Sequence, residues 1–186
     1  EEDTAIVEFD EGNLLSLDRF PGSDRRETGA RTVLGLTYTR IDPAGWSASV
    51  AGGLILRADD FGQFTPGSGL DGRTSDCLLA ANVTYGERLS VMNRAVFDQS
   101  LEFTSNETQV AWRSPDLDIS PSYTWLEADP AEGRSDATGE WAFDADYRFG
   151  GPWTGGVDWR FDFAEGEATR AGLNLGYANE CVDVGV

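Results

Sequence analysis

The chain has 186 residues, of which 40% are hydrophobic and 11% aromatic, so its composition is that of one folded domain and not of a disordered segment. Its 33 acidic and 14 basic residues give a net charge of −19, which argues against nucleic acid as a partner, because nucleic-acid binding depends on Lys and Arg contacts to phosphates. Histidine is absent, which removes the most frequent general base and metal ligand, and two cysteines are too few for a disulfide framework.

The first part of the chain carries no strong hydrophobic period. Turn-forming residues are frequent from residue 10 onward, and 14–26 has the composition of a long loop. We therefore predict a loop over residues 1–28, followed by antiparallel strands over residues 29–186.

From residue 31 onward, apolar and polar residues alternate in runs that are separated by turn signals. Such alternation places one set of side chains on each face of a β-strand. The predicted strands are 31–40, 46–57, 77–85, 89–98, 109–113, 117–125, 141–149, 157–163, 169–177 and 181–186. Residues 101–106 are ambiguous, and Asn93 interrupts the apolar side of its strand. Segments 59–75 and 129–136 are polar and predict loops.

The clearest alternation lies between residues 141 and 163, in two runs joined by Gly150-Gly151-Pro152. A glycine pair before proline, between two alternating runs, predicts a β-hairpin. One face of this hairpin would carry aromatic side chains, namely Trp141, Phe143, Tyr147, Trp159 and Phe161. The other face would carry charged side chains, namely Asp144, Asp146, Arg148, Asp158, Arg160 and Asp162.

The predicted strands are long. Strands of roughly 9–13 residues exceed the average of about 5–6 in globular proteins and match the roughly 9–11 residues of a tilted strand that crosses a bilayer. Aromatic residues recur near the strand ends, as in the interfacial girdles of outer-membrane barrels. We therefore predict an all-β fold, an antiparallel meander of about ten strands in an outer-membrane-type barrel. Charged side chains would face its lumen and aromatic ones the lipid. A soluble β-sandwich is the alternative with the same alternation.

Paired carboxylates such as Asp116 and Asp118 have the residue type that glycosidases use, but a solvated, charged sheet face explains them more simply. We predict no catalytic, cofactor-binding or metal site. Cys181 stands near Glu180 and Asp183, whose charges disfavour a thiolate, so it is not predicted to be a nucleophile. A disulfide to a partner outside this segment and a buried free thiol fit the sequence equally well.

Two stretches resemble a known family. Phe20-Pro21-Gly22-Ser23-Asp24-Arg25, followed by Gly29, Arg31 and Gly35, is similar to the "R-F-x-G-x-D-R … G-x-R … G" segment of the lipopolysaccharide-assembly family LptD, also called organic solvent tolerance proteins. The stretch Leu173-Asn174-Leu175-Gly176-Tyr177-Ala178-Asn179-Glu180-Cys181-Val182-Asp183-Val184 is similar to the family's C-terminal "Y-x-N-E-C-V-D-V" strand pair. The resemblance covers nearly the whole chain and corresponds to a later part of the family's large transmembrane barrel.

The resemblance implies a non-enzymatic translocon in the Gram-negative outer membrane, which inserts lipopolysaccharide into the outer leaflet through a lateral opening between its first and last strands. It implies a plug lipoprotein similar to LptE, periplasmic lipopolysaccharide-bridge proteins and outer-membrane lipid as partners. The N-terminal periplasmic domain and the terminal gate strands are expected to lie outside these 186 residues. The resemblance also implies that Cys181 forms a disulfide with that N-terminal domain.

Two other functions fit the alternation as well: a smaller outer-membrane porin or adhesin barrel, and a secreted carbohydrate-binding β-sandwich. For the translocon, the loop charges suggest an additional role. Asp59, Asp60 and the acidic residues of 129–132 would bind divalent cations that bridge lipopolysaccharide phosphates.

Overall fold

The computed structural model of the chain describes residues 8–20 and 25–185. Ten β-strands follow one another there: β1 (Arg31–Ile41), β2 (Trp46–Arg57), β3 (Cys77–Tyr85), β4 (Leu89–Phe97), β5 (Phe103–Arg113), β6 (Leu117–Leu126), β7 (Thr138–Gly150), β8 (Trp153–Asp162), β9 (Glu167–Ala178) and β10 (Asp183–Gly185). Single-turn 3-10 helices at Pro66–Ser68 and Pro130–Glu132 lie in the two longest connections. Within the described ranges, no helix has the length and apolar character needed to traverse a lipid bilayer.

All ten strands belong to one antiparallel sheet, in which their spatial order is their order in the sequence. The predicted all-β meander of about ten strands is therefore confirmed. A single sheet excludes the β-sandwich alternative, because a sandwich packs two sheets face to face. Among the described residues β1 and β10 do not pair with each other, so the sheet is open, as expected of one part of a barrel.

Two predicted boundaries near the middle of the chain differ from the structure. The ambiguous stretch 101–106 divides into a turn, in which Leu101 has a φ of 65°, and the beginning of β5 at Phe103. The strand β8 begins at Trp153 instead of residue 157, because the β7–β8 turn is only two residues long. Gly150 and Gly151 have φ values of 86° and 65°, which a residue with a Cβ rarely adopts.

The last strand begins later than predicted, since β10 comprises Asp183–Gly185 and the predicted range is 181–186, of which residue 186 lies outside the described residues. The side-chain oxygen of Asn179 accepts hydrogen bonds from the backbone N–H groups of Cys181 and Val182, both at 2.9 Å. These bonds hold residues 179–182 in a turn, which explains why the strand starts later.

The strand register keeps each set of alternating side chains on one face of the sheet, from β1 to β8. One row of directly opposed residues passes across β1 to β8 through Thr37, Ala51, Ala80, Arg94, Glu107, Thr124, Glu140 and Asp162. We call the side of the sheet that contains this row the polar face. The opposite side, which contains the neighbouring row Tyr123, Trp141 and Phe161, is the aromatic face.

The two ends of the sheet have connections of different length. Those at one end, the short-turn end, are 42–45, 86–88, 114–116, 151–152 and 179–182. Those at the other, the loop end, are 58–76, 98–102, 127–137 and 163–166. The N-terminal segment also leads into β1 from the loop end.

The main hydrophobic core lies on the polar face at the loop end. Its buried members are Phe9, Leu14, Phe20, Ile55, Leu70, Leu78 and Val96. The side chains of Ile55 and Leu78 point from β2 and β3, and both residues are fully buried. Burial of a side chain of this size contributes about 1.5–3 kcal/mol. The segments 8–20, 25–28 and 58–76 therefore lie across the polar face, and we call them together the inner cap.

Candidate functional site

The charged residues predicted for one side of the β7–β8 hairpin all lie on the polar face. Asp144 and Asp158 stand directly opposite each other, and Arg160 lies opposite Ala142. The full set on this face is Asp144, Asp146, Arg148, Asp158, Arg160 and Asp162. Their position on one face follows from the period of two, whereas their contact with a water-filled lumen stays a prediction that is taken up below.

Arginines from neighbouring strands pair with carboxylates on the polar face. The Nε of Arg170 lies 2.7 Å from Oδ2 of Asp158. On the next strand pair, the guanidinium of Arg160 lies 3.9 Å from the carboxylate of Glu140. These side chains are partly solvent-exposed, so each pair contributes about 0–1 kcal/mol. Their arrangement is that of a hydrated, charged surface.

The aromatic residues predicted for the other side of the hairpin all lie on the aromatic face. The rings of Trp141 and Trp159 meet edge to face, with centroids 5.4 Å apart. A second edge-to-face pair, Trp153 with Tyr177, lies at the short-turn end with centroids 4.9 Å apart. The predicted set is Trp141, Phe143, Tyr147, Trp159 and Phe161.

Much of the aromatic face is uncovered. The exposed fraction is 39% for Trp141 and 44% for Tyr147, and Leu36 in β1 reaches 77%. A contiguous apolar surface that extends over several strands requires an apolar environment or a partner. The assignment of this face to lipid stays a prediction, and it supports the proposal made below.

A buried carboxylate holds the inner cap to the sheet. The side chain of Glu27 has no solvent exposure, and its oxygens lie 2.5 Å from Nη1 of Arg19 and 3.1 Å from Nη2 of Arg57. The Nε of Arg31 is 3.6 Å away. Burial lowers the pKa of the Arg19 guanidinium, and the charge of Glu27 opposes that shift. The carboxylate of Glu27 thus contacts three arginines. Arg19 belongs to the N-terminal segment, Arg31 is the first residue of β1, and Arg57 is the last residue of β2.

Aromatic rings and guanidinium groups stack beside this carboxylate. The rings of Phe20 and Phe64 are nearly parallel, with centroids 5.1 Å apart. Arg25 covers the free side of Phe20 at 4.6 Å, and Arg57 covers the free side of Phe64 at 4.8 Å. Cation–π contacts of this kind contribute roughly 0.5–2 kcal/mol each. Phe20 and Arg25 of the family-motif loop are therefore parts of the inner cap. Its other predicted residues, Pro21, Gly22 and Asp24, lie outside the described residues.

A second ion-pair cluster connects the inner cap with β4 and β5. Arg94 projects from β4, and its Nε and Nη1 lie 2.8 Å from Glu11 and 2.9 Å from Glu107. The hydrogen bond from Arg94 lowers the pKa of Glu11 despite partial burial. The N-terminal segment is thus attached to the sheet at two sites, Glu27 and Glu11.

Asp129 connects the two long loops. Its carboxylate accepts hydrogen bonds from the backbone N–H groups of Gly67 and Ala131, both at 3.0 Å, and the residue is 2% exposed. Burial opposes ionisation of Asp129, but hydrogen bonds from Thr65 and from the backbone outweigh burial and lower its pKa. The interpretation of Asp129 as a cation-binding loop residue is therefore wrong, because the residue is buried and its carboxylate oxygens accept hydrogen bonds from the backbone of both loops.

The two cysteines lie at opposite ends of the sheet. Cys77 is the first residue of β3 at the loop end, and Cys181 lies in the turn between β9 and β10 at the short-turn end. A nine-residue strand is about 30 Å long, whereas a disulfide requires Cα atoms within about 7 Å. The two therefore do not pair with each other. Cys181 is exposed, so the alternative of a buried thiol is wrong.

The sequence did not predict Glu27 or Arg57 as residues of interest. Their ion pair joins positions 30 residues apart, and Glu27 lies in a segment without periodicity. An arginine at the end of an otherwise apolar strand, Arg57, is the only available signal. Over residues 8–20 and 25–185, no three carboxylate or thiol side chains come together in an arrangement that would hold a metal ion.

Comparison with models of known protein families gives a match to this chain. The model of the LptD family, described as LPS transport system D, matches residues 1–153 of this chain. A search of curated proteins finds no match. The matched range includes the inner cap and the strands from β1 to the first residue of β8.

Proposed function

The chain belongs to the LptD family, whose function is lipopolysaccharide transport, and we propose that it forms part of the wall of a non-enzymatic outer-membrane translocon that inserts lipopolysaccharide into the outer leaflet. In this proposal residues 29–186 are barrel wall, and residues 1–28 precede the strands. The aromatic face contacts lipid, and the polar face lines the hydrated path.

The observation that carries this proposal is the continuous register of the sheet. Outside the core beneath the inner cap, charged and hydroxyl side chains predominate on one face across the strands, and aromatic and aliphatic side chains predominate on the other. A sheet that separates lipid from water needs this division, because a charged side chain on the lipid face costs about 2–4 kcal/mol at the bilayer midplane. Asp118 and Asp158 on the polar face are paired with arginines. This pairing supports a hydrated surface along which lipopolysaccharide passes, and not a catalytic site.

The lengths of the connections support an orientation in the membrane. Outer-membrane barrels have short periplasmic turns and longer extracellular loops. We therefore assign the short-turn end to the periplasm and the loop end to the cell surface. The inner cap then lies inside the outer half of the barrel. A plug lipoprotein similar to LptE would contact the remaining polar face, and periplasmic bridge proteins would deliver lipopolysaccharide from the short-turn end.

Adjacent residues of β8 test the assignment of the two faces at one membrane depth. A photo-crosslinking amino acid is placed at Asp158 on the polar face or at Trp159 on the aromatic face of the full-length protein in living cells. We expect lipopolysaccharide adducts at position 158 and phospholipid adducts at position 159. Lipopolysaccharide adducts at neither position would contradict the translocon. Equal adducts at both would contradict the division between the faces.

The position of Cys181 supports a disulfide outside this segment. The residue is exposed at the proposed periplasmic end, where thiols are oxidised. We propose that it pairs with a cysteine of an N-terminal periplasmic domain. Peptide mapping of the full-length protein without reductant, after alkylation of free thiols, should recover the Cys181 peptide linked to an upstream peptide. Free alkylation of Cys181 in native membranes would contradict the pairing, and Cys77 serves as the free-thiol control.

A further inference from the structure

We propose that Arg88, Arg113 and Arg148 form a binding site on the polar face, at the short-turn end, for phosphate groups carried on a sugar-sized head group. The inference rests on the proposed function, in which this end faces the periplasm and lipopolysaccharide passes along the polar face. The inference deepens that function, because it names the residues and the ligand chemistry by which lipopolysaccharide would be bound where it enters at the short-turn end.

A cavity brings the three arginines together. Its volume is about 820 Å³, and its wall is built from the ends of β3 to β7 together with the turns 86–88 and 114–116. Arg113 ends β5, Arg148 lies near the end of β7, and Arg88 lies in the β3–β4 turn. The backbone N–H of Arg113 donates to the carbonyl oxygen of Arg88 at 2.7 Å, which fixes these two residues beside each other.

Only one of the three guanidinium groups has a carboxylate partner within the described part of the chain. Arg148 donates to Asp118 at 3.3 Å and to the carbonyl oxygen of Pro115 at 3.0 Å. Arg88 and Arg113 are exposed and form no ion pair among the described residues. Besides Asp118, the only carboxylate that lines the cavity is Glu87. The cavity therefore offers unneutralised positive charge in a chain of net charge −19.

Elsewhere on the polar face, arginines are neutralised by carboxylates. Arg94 contacts two of them, and Arg170 and Arg160 contact one each. Around the short-turn cavity, Arg88 and Arg113 are instead exposed and form no ion pair among the described residues, and Ser90 lines the same wall. Guanidinium groups present several N–H donors in a planar fork that matches phosphate oxygens. The geometry thus selects a phosphate ligand over a cation.

The volume of the cavity distinguishes between free phosphate and phosphate carried on a larger group. Small-molecule sites occupy about 300–1,000 Å³, which is much more than one phosphate ion fills. A phosphorylated sugar head group fits such a space, and its acyl chains would extend from the open side. We therefore assign the ligand to the phosphorylated head group of lipopolysaccharide and not to free phosphate.

The test uses the full-length complex in detergent with a photo-crosslinking amino acid at Ala111, which lines the cavity. The variant carries Arg88→Gln and Arg113→Gln, and the control carries Arg170→Gln, which removes one polar-face arginine from the beginning of β9 at the loop end. The probes are purified lipopolysaccharide and the same lipopolysaccharide after enzymatic removal of its phosphates. Heat-modified gel mobility verifies that each variant is folded.

We expect the double variant to lower the yield of lipopolysaccharide adducts at position 111 by at least about tenfold, because each lost charged hydrogen bond corresponds to such a factor. Adducts with dephosphorylated lipopolysaccharide should be few in every protein, and the Arg170→Gln control should match the unsubstituted protein. Added inorganic phosphate should compete at high concentration, which would support phosphate as the recognised group.

Two results would overturn the inference. One is an unchanged yield in the double variant, and the other is an equal yield with dephosphorylated lipopolysaccharide. Arginine-dependent binding of radiolabelled inorganic phosphate alone, with adducts that do not depend on the arginines, would also overturn it. Failure of the proposed function is distinguishable, because the unsubstituted protein would then give no lipopolysaccharide adducts at position 158 either.

Discussion

At the scale of single residues, the inner cap depends on carboxylates that are taken out of water. Glu27 is surrounded by three guanidinium groups, and Asp129 by backbone N–H donors. A buried charge is tolerated only when partners replace its lost hydration, and removing one partner leaves the others uncompensated. These two residues therefore control how firmly the cap is held.

Replacing Glu27 by Gln should loosen the inner cap. The substitution leaves the buried guanidinium groups of Arg19 and Arg57 without a counter-charge, and loss of one member of a buried pair costs about 3–5 kcal/mol. We expect faster proteolysis near residues 25 and 26 in the folded full-length protein, together with a lower urea midpoint. Glu140→Gln removes a carboxylate from an exposed pair and should change the free energy of unfolding by at most about 1 kcal/mol. Equal effects of the two substitutions would contradict the role of Glu27.

Acidification should open the junction between the two long loops. The pKa of Asp129 is lower in the folded state than in the unfolded chain, so its stabilising contribution is present above the unfolded pKa, about 4, and is lost as the pH falls through the folded value. The protection factors of residues 58–76 and 127–137, obtained by dividing out the pH dependence of intrinsic amide exchange, should therefore fall on acidification from pH 6 to pH 3. Asp129→Asn should exchange faster at pH 6 and lose this part of the pH dependence. If the unsubstituted protein and the Asp129→Asn variant showed the same pH dependence, groups other than Asp129 would be responsible for it.

At the scale of elements, the inner cap fits the sheet through a pair of glycines. Gly35 of β1 and Gly53 of β2 stand opposite each other, and the side chain of Leu14 packs over both. A Cβ added at Gly53 would lie 2.5 Å from Cδ2 of Leu14 and closer still to the carbonyl oxygen of Leu34, which cannot move without breaking the strand pairing. The close approach of cap and sheet thus needs residues without a Cβ.

Gly53→Ala should displace Leu14 and the segment around it. We expect loss of protease protection across residues 8–20, with the strands retained by infrared spectroscopy. The control is Gly139→Ala in β7, where an added Cβ would meet its neighbours at 3.4 Å or more. Unchanged protection in the Gly53→Ala protein would show that the cap does not depend on this contact.

Strand periodicity allowed most of the sheet to be predicted, because a period of two also determines which residues can face each other. Asn93 shows how the exceptions are resolved, since its amide donates to the Thr108 hydroxyl at 2.9 Å across the β4–β5 pair. The inner cap was not predictable in this way. Its contacts join loop residues to distant strands, such as Glu11 to Arg94 of β4, and the positions of these loop residues follow no local period.

At the scale of the whole molecule, the sheet has two edges that its own strands do not satisfy. The β1 strand pairs only with β2 within the described residues, and β9 has three residues paired with β10. Unpaired backbone groups in the hydrocarbon region of a bilayer are very unfavourable, which is why membrane sheets close. In the proposed translocon, neighbouring strands of the same barrel cover both edges.

Residues 1–186 produced alone should therefore not form a stable barrel. We expect the isolated segment, refolded in detergent, to associate heterogeneously and to lack the heat-modified gel mobility of folded outer-membrane proteins. Size-exclusion chromatography with light scattering checks this expectation, and the full-length protein refolded in parallel is the control. A monodisperse monomer with native strand content would contradict it.

The contacts of the inner cap also have a consequence for the order of folding. The sheet pairs each strand with its sequence neighbour, whereas the cap joins Glu11 to Arg94 across 83 residues and Gly67 to Asp129 across 62. Long-range contacts wait for loop closure, so hairpins form early and the cap late. We expect pulse-labelling during membrane assembly to show protection of β3 to β8 before that of residues 8–20. Protection of the inner cap would then be a marker of a barrel whose underlying strands have already paired correctly.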